Sequence, residues 1–249
     1  MTGKFYGLGV GPGDPELVTL KAVRILGEVD TICVPVSSAD RDSLALQVVR
    51  GIAKKEFELL ELSFPMSRDR SVLEKSWAEA GDAVAREVNL GRKVAFVTIG
   101  DPMFYSTYAY VLKYLKTNHP SVQCETVPGV MAMAACASLA GIPLAEAEES
   151  LVIIPAAYGV DDLEDVLKRF DNVVLMKVNR RVDEVLSLLE RTEMSGRAVY
   201  FSRCGYRDQF FTADIDTLAG QKMDYMSLMI VKKKGIGNIN ANPAGGIKK

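Results

Sequence analysis

The stretch that decides the fold runs from Val94 to Tyr108 and reads VAFVTIGDPMFYSTY. Its first half is an apolar run that ends at Thr98 and predicts a buried strand. Gly100 permits backbone angles that other residues resist, and Pro102 fixes its own φ and offers no N–H. The chain therefore turns sharply just beyond the carboxyl end of a strand, the edge of an α/β sheet where ligands bind. An ordinary Gly-Asp-Pro turn fits the same letters equally well.

The amino-terminal segment repeats this arrangement of strand and glycine turn. Lys4 to Val10 predicts a strand, and the turn after it leads to Asp14 as an N-cap and Pro15 as the first residue of a helix that ends near residue 27. A dinucleotide-binding GxGxxG motif does not fit, because its third glycine would fall on Pro12 or Asp14. The second predicted strand, Thr31 to Val36, also ends without the acidic residue that holds a ribose. The sequence therefore disfavours a nicotinamide or flavin site.

Strands and helices alternate along the chain, which predicts an α/β fold. Strands are predicted at residues 4–10, 31–36, 57–62, 93–98, 122–127, 151–154, 172–177, 197–202, 208–211 and 227–232. The best domain boundary is Asn118 to Ser121, because a helix ends there and turn-forming residues follow. We predict an N-terminal α/β domain of residues 1–121 and a C-terminal α/β domain of residues 122–234, with parallel units first and an antiparallel hairpin last. Residues 235–249 lack any periodicity and predict a disordered tail.

Composition restricts the function classes. The 30 basic and 32 acidic residues leave a net charge of −2, so no overall field favours nucleic acid or a membrane surface. No apolar run reaches the roughly 18 residues that span a bilayer, and no targeting stretch is recognisable, so we expect a cytoplasmic protein. A single histidine, His119, gives little support for a metal site or a Ser-His-Asp triad, and we predict no metal. The scattered cysteines predict free thiols; they are Cys33, Cys124, Cys136 and Cys204.

Four separated segments resemble the tetrapyrrole methylase family, which transfers methyl groups from S-adenosylmethionine. The resemblance extends from about residue 3 to residue 233 and rests on the order and spacing of these segments, which are Gly9–Ala22, Gly100–Pro102, Val127–Val130 and Gly141–Leu144. The resemblance implies two α/β domains with the active site in the cleft between them, and a homodimer.

A closer resemblance is to the branch of the family that methylates C-20 of precorrin-2 or cobalt-precorrin-2 in cobalamin (vitamin B12) biosynthesis. It rests on Pro35, Ser43–Ala45, Phe64–Met66, Trp77 and Tyr105–Tyr108, of which the last run is the most discriminating. The implied activity is a single methyl transfer that leaves S-adenosylhomocysteine. The sequence does not report whether the substrate already carries cobalt.

Matched residue by residue, the resemblance implies a methyl-donor site built mostly from backbone groups. Its predicted members are Gly100, Asp101, Phe104, Ser106, Thr107, Met131, Ala132, Met176, Tyr225, Met226 and Ser227. Where the family has Thr-Ala after its Pro-Gly turn, this chain has Met131 and Ala132, so no threonine hydroxyl is available there.

The implied substrate is a macrocycle rimmed with carboxylates, which requires local hydrogen-bond donors. The predicted substrate contacts are Pro12, Asp14, Ser37, Arg41, Tyr105, Tyr108 and Lys177, and the further cations considered are Arg68, Arg70, Arg180, Arg181, Arg203 and Arg207. Each arginine fits a solvated surface position as well. Methyl transfer from a sulfonium depends on orientation more than on acid and base groups, so Asp14 and Tyr105 are the only catalytic candidates. Asp14 fits a purely N-capping role too.

Two other classes of function stay open at this point. One is another methylase of the same fold, acting at a different corrin position, on the diphthamide precursor of a translation factor or on ribosomal RNA. The charge balance disfavours RNA. The other is an α/β module that binds a ligand without catalysis.

Overall fold

The computed structural model describes residues 3–36, 43–156 and 162–240, and the chain divides into two compact units, residues 1–131 and 132–249. Both units consist of a sheet with helices packed on it, which confirms the predicted α/β class. The strand Cys124–Val127 belongs to the first unit, where it pairs in parallel with Lys4–Gly9. The predicted domain boundary at 121 therefore precedes a strand of the first sheet.

The first unit contains a parallel five-stranded sheet in the order β3-β2-β4-β1-β5. Its strands are β1 (Lys4–Gly9), β2 (Thr31–Val36), β3 (Glu58–Ser63), β4 (Lys93–Thr98) and β5 (Cys124–Val127). Its helices are α1 (Leu20–Glu28), α2 (Leu44–Ile52), α3 (Arg70–Asn89) and α4 (Tyr108–Asn118). The central strands β1 and β4 are almost fully buried because helices cover both faces.

Two apolar cores lie on opposite faces of this sheet. Helices α1 and α2 pack on one face with side chains such as Leu8 and Val97, and α3 and α4 pack on the other with Phe5 and Phe96. The connections that follow the neighbouring strands β1 and β4 therefore leave on opposite faces. Such a switch point leaves a crevice at the carboxyl ends of the two strands, where open α/β sheets bind ligands.

The helix predicted to run from Asp14 to about residue 27 is two elements. Asp14 caps only a one-turn 3-10 helix, Pro15–Leu17, by accepting the N–H of Glu16 at 2.9 Å. Val18 is extended, and Thr19 then caps α1 by accepting the N–H of Ala22 at 3.2 Å. A second capping residue five positions on restarts the helix in a new direction.

The second unit contains a mixed five-stranded sheet in the order β6-β7-β10-β8-β9. Its elements are α5 (Ala132–Ala140), β6 (Leu151–Pro155), α6 (Leu163–Arg169), β7 (Asn172–Met176), α7 (Val182–Arg191), β8 (Ala198–Ser202), β9 (Phe210–Thr212) and β10 (Ser227–Lys232). The predicted parallel unit is β6-β7, and the antiparallel hairpin is β8-β9. The last strand, β10, lies between β7 and β8 and is antiparallel to both. The carboxyl ends of β6, β7 and β8 therefore share one edge with the start of β10.

Asn240 lies in the segment that the sequence predicted to be a disordered tail. Its backbone N–H donates to Ala140 O at 2.9 Å, and its side-chain amide donates to Leu139 O at 3.0 Å. These bonds satisfy carbonyls at the carboxyl end of α5, where a helix has no intrahelical partners. Gly141 has φ +71 in the turn that follows.

Candidate active site

Three glycines meet at the carboxyl edge of the first sheet. A Cβ atom on Gly129 would lie 2.1 Å from Gly100 O, and one on Gly9 would lie 2.6 Å from the same oxygen. The turns after β1, β4 and β5 therefore pack backbone against backbone, which only glycine permits. The Gly100 N–H also donates to Gly11 O at 2.7 Å. In contrast, a Cβ on Gly100, which has φ +74, would meet no atom of the described residues within 4 Å. The carbonyl side of Gly100 is therefore sealed by the backbone of Gly9 and Gly129, and the side where its Cβ would lie is open among the described residues.

Asp101 fixes this turn with its carboxylate. Oδ1 accepts the N–H of Met103 at 2.8 Å, and Oδ2 accepts the N–H of Gly129 at 3.0 Å. Charged acceptors form the stronger kind of hydrogen bond, so one side chain orders its own turn and ties it to the turn after β5. The sequence assigned Asp101 to the methyl-donor site, and in the structure its carboxylate orders the backbone of this turn.

The residues after this turn divide into exposed and buried positions. Tyr105 is 50% exposed, lies in the left-handed region at φ +50, and packs its ring on Phe104 with centroids 4.5 Å apart. A non-glycine residue in this region stores backbone strain, which clusters at functional sites. Ser106 donates from Oγ to Thr98 Oγ1 at 3.1 Å and accepts the N–H of Tyr108 at 3.2 Å. Thr107 precedes α4 and makes no side-chain capping bond.

Tyr108 lies inside the first unit rather than at the edge. Its ring is fully buried between Phe5 and Phe96, with centroids 5.7 and 5.9 Å away, and its hydroxyl hydrogen-bonds Thr126 at 2.7 Å. Burial raises the pKa of the phenol to about 12. The ring also occupies the space beside Gly7, where a Cβ would lie 2.1 Å from it. These contacts make Tyr108 a core residue in this structure and do not support the predicted contact with the substrate.

Three further predicted residues of the first unit, Pro12, Asp14 and Met131, follow the carboxyl ends of β1 and β5. Pro12 is buried, and Asp14 is partly exposed with its carboxylate used as the cap. Met131 is partly exposed after the Pro128–Gly129 turn. Ser37 and Arg41, which the sequence assigned to the substrate, lie outside the described residues.

The edge of the second unit brings together the predicted residues of β7 and β10. Lys177 follows Met176, adopts φ +58, and donates its N–H to Ser227 O at 2.9 Å. Its ammonium group lies 5.5 Å above the ring of Tyr225, which is 50% exposed. Residues far apart in sequence thus adjoin because β10 pairs with β7. Met226 and Met176 are partly exposed at the same edge, and Ala132 begins α5 in this unit.

Two buried polar atoms of the second unit were missed by the sequence reasoning. Asn179 Oδ1 and Tyr206 Oη are buried and have no hydrogen-bond partner among the described residues. Such atoms call for a ligand or an ordered water. Asn179 lies three residues beyond β7 and Tyr206 four residues beyond β8, and no sequence motif singles them out.

The cations considered for the substrate carboxylates fall into two groups, those that already form ion pairs and those that do not. Arg70, Arg181 and Arg203 already bond to acidic side chains, at 2.8 Å to Glu74, 2.5 Å to Glu184 and 2.8 Å to Asp208. Across the part of the chain that the structure describes, no acidic partner lies within 4 Å of Lys177, Arg68, Arg180 or Arg207. Of these, Lys177 also adjoins the predicted methyl-donor residues.

The described residues form an α/β protein in which glycines and non-glycine residues of positive φ lie in turns at the carboxyl ends of strands. Residues 4–219 match the sequence pattern of the family described as Tetrapyrrole (Corrin/Porphyrin) Methylases. The chain therefore belongs to the tetrapyrrole methylase family.

Its relatives point to one branch of that family. The chain is 36% identical to a probable cobalt-precorrin-2 C(20)-methyltransferase of Methanocaldococcus jannaschii, over 92% of this chain and 96% of the relative. It is 37% identical to the cobalt-precorrin-2 C(20)-methyltransferase of Salmonella typhimurium, over 81% and 84%. It is 31% identical to a precorrin-2 C(20)-methyltransferase of Sinorhizobium sp, over 92% and 95%.

Solved structures share the fold at lower identity. A cobalt precorrin-4 methyltransferase superposes with a TM-score of 0.71 at 20% identity, over 92% of this chain and 94% of the other. The uroporphyrin-III C-methyl transferase of Thermus thermophilus, crystallised with S-adenyl homocysteine, gives 0.67 at 20% identity, over 92% and 97%. Within the described ranges no helix has the length and apolar content needed to cross a membrane.

Proposed function

We propose that this protein transfers one methyl group from S-adenosylmethionine to C-20 of precorrin-2 or cobalt-precorrin-2 in cobalamin biosynthesis. The observation that carries the proposal is the Gly100 turn, which is sealed by Gly9 and Gly129 on one side and open on the other. The reaction is proposed from relatives that are named as C-20 methyltransferases and align over most of the chain. On the family resemblance we extend the proposal to a homodimer, and from the sequence alone we propose the cytoplasm as its location.

The residues present fit S-adenosylmethionine through their backbone. The open side of Gly100 leaves room for a ligand against the main chain, and the edge of the second unit offers the exposed ring of Tyr225 and the buried hydroxyl of Ser227. When bound, S-adenosylmethionine supplies an electrophilic methyl group on a sulfonium. Carbonyl oxygens and aromatic faces suit such a cation, and neither requires an ionisable side chain.

The contribution of this chain to the rate is orientation. Methyl transfer to C-20 forms a carbon–carbon bond, breaks the sulfur–methyl bond and releases the C-20 proton to solvent. C-20 belongs to an electron-rich, enamine-type system, so no strong base is needed. Holding the two reactants in line supplies on the order of 7 to 11 kcal/mol of the barrier. Asp101 and Ser106 serve this purpose by fixing the turn and the start of α4.

The carboxylates of the macrocycle require cationic side chains that do not already form ion pairs within the protein. Lys177 fits this role, since its ammonium group lies above the ring of Tyr225 and has no acidic partner in the described part of the chain. Arg180 follows in the same loop and is exposed. A carboxylate binding here would replace water around Lys177 without breaking an ion pair.

Two measurements test the proposal. Calorimetry with S-adenosylhomocysteine is expected to show one site per chain, and the absence of binding would refute the cofactor. Incubation with labelled S-adenosylmethionine under anaerobic conditions, beside metal-free and cobalt-loaded precorrin-2, is expected to label one of them once, at C-20. Uroporphyrinogen III and ribosomal RNA serve as alternative acceptors. Donor binding without transfer to any acceptor would favour a binding module.

A further inference from the structure

Arg203, considered above as a contact for the substrate, forms ion pairs with two carboxylates of the second unit. Its Nε lies 2.8 Å from the carboxylate of Asp208, and its Nη1 lies 3.5 Å from Asp224 Oδ2. The guanidinium group also stacks on the ring of Tyr206, 4.9 Å from the centroid. Two of the three guanidinium nitrogens therefore already face carboxylates of the second unit.

The backbone of Arg203 acts on the same neighbouring segment. Arg203 adopts φ +52, and its N–H donates to Met226 O at 2.8 Å. Asp224 Oδ1 accepts the N–H of Met226 at 2.7 Å while its other oxygen faces the guanidinium. Met226 is therefore held at both its N–H and its C=O, once through Asp224 and once by Arg203 itself.

On the other side of β10, Lys177 makes the corresponding bond to Ser227 O at 2.9 Å. Tyr225, Met226 and Ser227 thus form a short segment fixed from both neighbouring strands by two non-glycine residues in the left-handed region. Such backbone strain persists only where the surroundings enforce it. On the Arg203 side, the ion pairs with Asp208 and Asp224 provide that enforcement.

We propose that Arg203 is a positioning residue for the segment Tyr225–Ser227 and thereby sets the affinity for S-adenosylmethionine, rather than binding the tetrapyrrole. The inference rests on the proposed function and names a residue outside the donor site itself. A purely structural role would appear in stability. Partly exposed ion pairs contribute little to folding, so the effect on donor affinity should exceed the effect on unfolding.

The test compares Arg203→Met, Arg203→Lys and Asp224→Asn with the exposed control Arg191→Met. Arg191 lies on the last turn of α7 and also contacts a carboxylate, that of Glu164, at 3.9 Å. Asp224→Asn keeps an oxygen for the Met226 N–H and removes the charge that faces Arg203. Each variant is measured for S-adenosylhomocysteine affinity, for KM toward donor and tetrapyrrole, for kcat, and for thermal unfolding.

For Arg203→Met we expect about a tenfold loss of S-adenosylhomocysteine affinity and a matching rise in donor KM. The tetrapyrrole KM should stay unchanged, Arg203→Lys should recover part of the loss, and Arg191→Met should resemble the wild type. A raised tetrapyrrole KM with unchanged donor affinity overturns the inference, and so does loss of stability alone. If Arg203→Met does not fold, Arg203→Lys and Asp224→Asn decide by the same criteria. Absence of S-adenosylhomocysteine binding by the wild type refutes the proposed function, and the inference with it.

Discussion

Gly129 has no room for a side chain beside Gly100, whereas Gly100 has open space where its own side chain would be. A Cβ on Gly129 would lie 2.1 Å from Gly100 O, and within the described ranges a Cβ on Gly100 would meet no atom within 4 Å. The contact therefore imposes a packing requirement on Gly129, in the turn after β5, and none on the side-chain position of Gly100, in the turn after β4.

Alanine substitutions at these two positions should differ in kind. Gly129→Ala forces backbone apart and should lower the thermal midpoint strongly. Gly100→Ala meets only the cost of a left-handed residue, about 1 to 2 kcal/mol, so it should fold. Its methyl group enters the space assigned to the donor, and S-adenosylhomocysteine affinity should fall by about tenfold or more. Calorimetry and thermal unfolding check both variants. Unchanged affinity in a folded Gly100→Ala protein would place the donor elsewhere.

Asp101 should affect the site through backbone order. Asp101→Ala removes two charge-assisted hydrogen bonds, to Met103 and Gly129, and leaves their N–H groups without an acceptor. We expect a loss of about 1 to 3 kcal/mol in unfolding free energy and weaker donor binding. Asp101→Asn can restore only one of the two bonds and should be intermediate. Urea unfolding gives the order of the three proteins, and equal stability of all three would contradict this account.

Acid sensitivity of the first unit should depend on Glu125. Hydrogen bonds from Lys21 and Lys4 lower the pKa of this carboxyl from its ordinary value of about 4.5 to about 2. Because the folded-state pKa is the lower one, the stabilisation is present above pH 4.5 and is lost as the pH falls toward 2. Glu125→Gln should therefore be less stable than the wild type at pH 7 and lose less further stability between pH 4.5 and pH 2.

Urea midpoints measured at pH 7, 4 and 3 test this dependence. The control is Glu61→Gln, an exposed glutamate on β3 that has no ion-pair partner in the described residues. A wild-type profile for Glu125→Gln would show that the two lysines do not stabilise the fold.

Lys177 should act on the tetrapyrrole. Lys177→Met keeps the N–H that bonds Ser227 and removes only the ammonium group. We expect the KM for the tetrapyrrole to rise by about tenfold, as for the loss of one charged contact, with S-adenosylhomocysteine affinity unchanged. The rise should shrink at high salt because screening weakens the contact in the wild type. Lys222→Met, an exposed lysine of the same unit, is the control. Loss of donor affinity instead would assign Lys177 to the cofactor.

The sequence by itself determined the local features of this protein. Apolar runs and the glycine and proline residues after them predicted most strands, the Gly100 turn and the α/β class, because these depend on side chains a few positions apart. The motif order also identified the family, which residues 4–219 match.

Only the tertiary structure decided which distant residues meet. The insertion of β10 between β7 and β8 brings Ser227 to Lys177 and Met226 to Arg203, and no local pattern encodes that pairing. Tyr108, which the sequence predicted to contact the substrate, packs against Phe5 and Phe96 in the core. Strand order and burial are set by the total apolar surface and hydrogen bonds satisfied across the chain. A glycine that must pack and a glycine that must stay open therefore look the same in sequence and differ only in the fold.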